Sequence, residues 1–161
     1  MKGTDIPIKD EYRSQPGPRP RHEKTLAGLI ESDFHHEKDL NCAEAILYGA
    51  NEIYGLELPH SALKLAAGFG GGMGTETTCG VISGGVMALS ALFVKDRGHE
   101  GDYIKELTSE YIEEFHRRMG SAECREVKET HRPPGGDCTA VILEGARILQ
   151  AIIDRERRKQ R

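Results

Sequence analysis

The chain has 161 residues, enough for one domain with a core and too few for two comfortable ones. Twenty-two Lys and Arg against 26 Asp and Glu leave a net charge of -4, which argues against a dedicated nucleic-acid binder with its basic face. Hydrophobic residues at 37% and charged residues at 30% describe a globular chain, and the absence of Trp leaves Leu, Ile, Val, Ala and Met to build the core.

Residues Met1 to Arg21, with Pro16, Pro18 and Pro20 among polar and basic residues, are expected to form a flexible arm ahead of a domain over 22–161. A first helix is expected over His22 to Asp33, burying Leu26, Leu29 and Ile30, followed by a loop at His35-His36-Glu37-Lys38-Asp39. Asn41 is a good N-cap for a second helix, in which Cys42, Ala45, Ile46, Gly49 and Ile53 recur at helical spacing until Gly55. A short helix from Pro59 or Ser61 to Ala67 leads into Gly68-Phe69-Gly70-Gly71-Gly72-Met73-Gly74. Glycine at that density permits positive φ and close backbone approach.

Thr78 is expected to cap a helix over Cys79 to Lys95, and its small residues Gly80, Gly84 and Ala88 would let neighbours approach closely, at the centre of a bundle. A further amphipathic helix spans Asp102 to Met119, with Tyr103, Leu107, Tyr111, Ile112 and Phe115 inward. Ser121 opens a short helical turn through Cys124, His131 to Gly136 form a loop, and Asp137 caps a last helix from Cys138 to about Arg158. No strand alternation is evident. The fold expected is all-α: a single compact bundle of five to six helices with a Gly-rich turn before the central one.

The first residues carry charges throughout and lack the apolar run of a secretory signal. The longest apolar stretch, Val81 to Val94, is interrupted by Ser83, Gly84, Gly85 and Ser90 and falls short of the ~20 residues of a membrane span. A cytoplasmic protein is expected, with no membrane or nucleic-acid partner. In that reducing compartment Cys42, Cys79, Cys124 and Cys138 point toward metal binding or redox work rather than stable disulfides. Their separations of 37, 45 and 14 residues contain no CxxC pair, which excludes zinc-finger, thioredoxin and bacterial ferredoxin spacings. Each is expected in the first turn of a helix, where free N–H groups and the positive dipole end favour a thiolate, the form that attacks disulfides and binds metals.

The order Asn41-Cys42-Ala43-Glu44-Ala45, then Gly68-Phe69-Gly70-Gly71-Gly72-Met73, then Cys79-Gly80-Val81-Ile82-Ser83-Gly84, and two later single cysteines resembles the redox-active four-cysteine C-GCAxxG-C-C family over about Leu26 to Ile152. Val81 departs from it, standing where the pattern has Ala, as does His35-His36 in place of a glycine-aromatic lead. The resemblance carries the family's cysteines onto Cys42, Cys79, Cys124 and Cys138 and implies thiol or metal redox chemistry.

Three functions follow. In the first, the four cysteines hold a metal, preferably an iron–sulfur cluster for electron transfer or redox sensing, with Gly70, Gly71, Gly72 and Gly80 supplying close main chain. Zinc would accept the same four ligands as a structural site. In the second there is no metal, and Cys42 with Cys79 and Cys124 with Cys138 cycle as disulfides, His131-Arg132 lowering a thiol pKa. In the third the cysteines fill the core of a helical interaction module. The partner implied by the first two is another redox protein, and self-association stays open.

Other residues take the ordinary structural reading. His35 and His36 read as exposed loop residues, Glu76 as a helix cap, and Met73 and Met87 as core filler. The glycine run lacks the Lys-Ser/Thr of a phosphate loop, and no HExxH helix or Ser-His-Asp arrangement supports hydrolysis.

Overall fold

A computed structural model describes residues 25–161. The expected arm at 1–21, and the first residues of the expected opening helix, lie outside that range. Among the described residues the fold is all-α, as expected. The helices are α1 (Leu26–Glu31), α2 (Phe34–Glu37), α3 (Cys42–Tyr54), α4 (His60–Leu63), α5 (Gly80–Phe93), α6 (Tyr103–Met119), α7 (Cys124–His131) and α8 (Thr139–Lys159). They outnumber the five or six expected because Phe34–Glu37, read as loop, closes a helical turn, and because Cys124 opens a helix where the expected turn was to end.

Local chemistry explains the boundaries. Asn41 caps α3 through a full capping box: its side chain accepts from the N–H groups of Ala43 and Glu44, and Glu44 accepts from the Asn41 N–H. Gly55 ends the helix in the left-handed region at φ 62°. Gly120 ends α6 likewise at φ 82°. Thr78 does not cap α5. It pairs with Glu123 in an isolated antiparallel bridge, and Cys79 takes the N-cap position. Asp137 stands one residue ahead of the N-cap Cys138, accepting from the Thr139 N–H at 2.8 Å.

The central place expected for α5 is borne out, since it packs against α3, α6 and α8. Gly84 admits the main chain of Ala43, Gly85 the ring of Tyr111, and Gly145 of α8 a methyl of Val81. The fully buried Tyr111 hydroxyl donates to the Val81 carbonyl at 3.1 Å. Leu107, Tyr111, Phe115 and Met119 form the inward stripe of α6. Tyr103 and Ile112, also expected inward, are exposed: Tyr103 stands at the first position of the helix, its ring edge-on to Phe93, and Ile112 falls one position off the stripe.

Between Phe69, where a 3-10 segment (Lys64–Phe69) ends, and Cys79 the chain doubles back through left-handed backbone: Gly71, Gly72, Met73, Gly74 and Glu76 all have φ between 58° and 69°. Met73 is 46% exposed on the outside of this turn rather than in the core. Met87 packs against the core, as expected.

Candidate functional site

The four cysteines all stand at helix starts. Cys42 and Cys124 are the first residues of α3 and α7, and Cys79 and Cys138 are the N-caps of α5 and α8. Two reciprocal main-chain bonds around the Thr78–Glu123 bridge set Cys79 beside Cys124: the Cys79 N–H donates to the Ala122 carbonyl at 2.9 Å, and the Cys124 N–H to the Thr77 carbonyl at 2.5 Å. Asn41 ties the start of α3 to the segment before the glycine turn, its Nδ2 donating to the Ala67 carbonyl at 2.9 Å. These attachments bring all four cysteines to one cavity of about 350 Å3. All four are free thiols, Cys79 and Cys124 buried and the other two half-buried.

The glycines named from the sequence divide the work around them. Gly71 lines the cavity. A Cβ on Gly80 would lie 2.5 Å from the Cys42 Sγ and 2.8 Å from the Phe69 carbonyl oxygen; one on Gly72 would lie 2.7 Å from the Cβ of Cys124. Both glycines therefore make room for cysteines from behind. Gly70 does something else: a Cβ there would lie 2.6 Å from the amide of Asn41, so it seats the cap of α3.

Burial overrides the helix dipole at the thiols. Cys79 is pushed up to about 12, chiefly by burial and further by the three other cysteines, with the Val81 N–H opposing. Cys124 and Cys138 are also raised, first by burial and then by Cys42, while Lys128 opposes both shifts and Arg132 that of Cys138. At these three thiols the lowering expected at helix starts is thus reversed. A helix end contributes about 0.3–1 kcal/mol, whereas each unit of pKa raised by desolvation represents ~1.4 kcal/mol. The nearby cations are already engaged: Lys128 pairs with Glu76, and Arg132 Nε donates to the Gly136 carbonyl at 2.6 Å. Glu76 is thereby an ion-pair partner of α7, joined also by Arg125 at 3.4 Å, and not a helix cap.

The sulfurs are spread. No three of them lie within 4.8 Å of one another among the described residues. A single tetrahedral zinc ion with Zn–S bonds of 2.3 Å holds its sulfurs about 3.8 Å apart. No three of the free thiols are thus gathered as closely as one bound ion would hold them. Four thiols, with glycine and helix-start main chain close by, are donors that would fit the cysteine ligation of a metal cluster.

His35 and His36 line the same cavity, on α2 rather than a loop; His36 is exposed as expected, but His35 is not. His35 is 2% exposed, and His36 lies between Asp33 and Asp137. The signal available was their position six and seven residues before Cys42, together with Asp137 adjoining Cys138.

Bundled helices whose starts converge on one four-thiol cavity define a four-cysteine helical domain. The sequence profile of the family described as "Putative redox-active protein (C_GCAxxG_C_C)" matches residues 40–152, and the chain belongs to that family. No curated protein and no solved structure matches the chain. No helix among the described residues is long and apolar enough to cross a membrane.

Proposed function

We propose that Cys42, Cys79, Cys124 and Cys138 together ligate one polynuclear metal centre, an iron–sulfur cluster, and that the protein serves electron transfer or redox sensing with a redox protein as partner. The observation that carries this reading is the meeting of four cysteines, remote in the sequence, at one cavity. Bound there, a cluster would supply one-electron oxidation and reduction. The protein's own part is threefold. Gly72 and Gly80 leave space for the ligand cysteines. Helix starts at α3, α5, α7 and α8 place positive dipole ends beside the sulfurs, which favours the deprotonated state once a cation offsets burial. Val81, Val127, Val141 and Ile142 line the cavity and keep part of it dry, which tunes a potential. Four free thiols suit the reducing cytoplasm.

The raised thiols weigh against a metal-free disulfide exchanger, because the thiolate is the attacking species. The test is anaerobic preparation followed by iron and acid-labile sulfide analysis with an absorption spectrum. Iron and sulfide in comparable amounts, with thiolate-to-iron absorption, is the expected result. Failure to take up iron and sulfide on anaerobic reconstitution would overturn the reading. In that event, one zinc bound without colour would indicate a structural ion, and reversible loss of two thiols on mild oxidation would indicate disulfide chemistry.

A further inference from the structure

A second set of donors stands at the edge of the cysteine cavity. Asp33, His35 and His36 each offer a ligand atom, and the three atoms lie within 4.8 Å of one another. The two imidazoles, with ring centroids 4.1 Å apart, are anchored alike. His35 Nε2 meets the Thr139 hydroxyl at 3.0 Å, and His36 Nε2 meets Asp137 Oδ2 at 2.5 Å. Both anchors flank Cys138 at the start of α8, and both leave Nδ1 for another partner. His36 Nδ1 meets Asp33 Oδ1. His35 Nδ1 is buried and has no hydrogen-bond partner. Buried nitrogens are rarely left so, and this one stands on a ring that lines the cavity.

We propose that Asp33, His35 and His36 form a metal site for a first-row divalent ion of the zinc or ferrous type, separate from the four cysteines. Two imidazoles and a carboxylate are the donors such ions take, with further positions open to water or to a molecule in the cavity. Asp137 and Thr139 act from behind. Each holds the far nitrogen of one imidazole, which fixes the ring and leaves the near nitrogen to the ion. Asp33 precedes α2 without making a side-chain capping bond, and its carboxylate is turned to His36 instead. At His36 the ion would displace the proton now shared with Asp33.

The site does not depend on the reading of the cysteines, because its donors are nitrogen and oxygen. Cobalt(II), titrated into the full chain freed of metal under reducing, anaerobic conditions, separates the two. Cobalt on thiolates gives intense charge-transfer absorption; cobalt on nitrogen and oxygen gives weak ligand-field bands alone. The expected result is an equivalent of cobalt bound with ligand-field bands only, beyond any that saturates thiolate absorption. Asp33→Asn and His36→Ala should each weaken that step tenfold or more and leave thiolate absorption unchanged. Asp137→Asn, which retains the side chain's size, should weaken it about tenfold. His35→Ala should act like His36→Ala; because His35 is buried, the partly exposed Asp33 and His36 carry the test if that variant fails to fold. Absence of the ligand-field equivalent, or its undiminished binding to both Asp33→Asn and His36→Ala, would overturn the proposal. Its presence without any thiolate absorption would sustain this site and leave the cysteine centre to be decided by the iron and sulfide analysis.

Discussion

At the carboxyl end of α8, Glu156 is 2% exposed and its carboxylate is surrounded by donors from the protein itself. Oε1 accepts from Lys159 Nζ at 2.8 Å and Arg155 Nε at 2.7 Å, and Oε2 from the Tyr103 hydroxyl at 2.6 Å. Arg155 also grips both oxygens of Glu110, at 2.5 and 2.7 Å. Lys159 first, then Tyr103 and Arg155, hold Glu156 down at about 2. At the amino end of the same helix, Cys138 shares a cavity with three other thiols, and burial drives three of the four up. One helix thus joins a buried charge that the chain neutralises by itself to a cavity where burial raises Cys79, Cys124 and Cys138 with no such compensation. A site of the second kind acquires its charge only when a cation arrives from outside.

The sharpest way to break this contrast is to remove a ligand from one end and a charge from the other. Cys79→Ser is expected to lower iron retention after anaerobic reconstitution to about a tenth or less, because loss of one of four thiolates opens the cluster. Glu156→Gln should leave iron retention unchanged. Equal retention by Cys79→Ser and the parent protein would dissolve the contrast.

Next in size is the stability held at the other end. Glu156→Ala removes the acceptor for three donors and should cost about 2–3 kcal/mol in urea denaturation at neutral pH. That is below the usual figure for breaking a fully buried pair, because Arg155 and Lys159 reach solvent. The pH dependence follows from the sign of the shift. A carboxylate lowered from 4.5 to about 2 contributes stability that is fully present above 4.5 and lost as pH falls toward 2. The gap between the parent protein and Glu156→Gln should therefore be widest at neutral pH and close through that window. A gap independent of pH would mean that packing rather than charge holds this end together.

Smaller again is the effect of crowding the cavity from behind. Gly80→Ala brings a methyl into the Cys42 sulfur and the Phe69 carbonyl, and should cost about 1–3 kcal/mol together with reduced iron retention. Gly98→Ala, where the methyl meets nothing within 4 Å, is the control and should change stability by less than about 0.5 kcal/mol. Retention unaffected by Gly80→Ala would show that the cavity yields without loss.

These regions differed in how much of them could be read from the residues alone. The ends of α3 were legible because Asn41, Glu44 and Gly55 act within a turn of the backbone they cap. The inward stripe of α6 was legible for the same local reason, apart from Tyr103 and Ile112. Cys124 stands in the first turn of a helix as expected, but the bounds differ: Ser121 bonds the Glu123 N–H at 3.0 Å as a cap would, and the helix begins beyond it. Glu76 and Met73 were misread because left-handed backbone turns them outward, and the partners of Glu76 come from α7. The cysteine set was legible through the family pattern, but its convergence rests on packing between helices far apart in the chain. His35 was missed for that reason: what buries it includes Thr139, 104 residues away.

The smallest expected effect concerns the residue that joins local capping to the distant site. Asn41 accepts two helix-start N–H groups through Oδ1, at 3.0 and 3.1 Å, and donates through Nδ2 to Ala67. Asn41→Ala removes both functions and should cost about 1 kcal/mol, the usual value of a lost N-cap. Asn41→Asp keeps the acceptor that caps α3 and loses the donor that ties it to the chain entering the glycine turn. Stability should therefore return largely to that of the parent protein in the Asp variant, by thermal melting, while iron retention stays reduced as in the Ala variant. That split is expected because the cap stabilises the helix, whereas the bond to Ala67 holds the start of α3 against Gly70, beside the backbone that lines the cavity. If retention recovers along with stability, the cap alone positions Cys42 and the tie to Ala67 contributes nothing to the site.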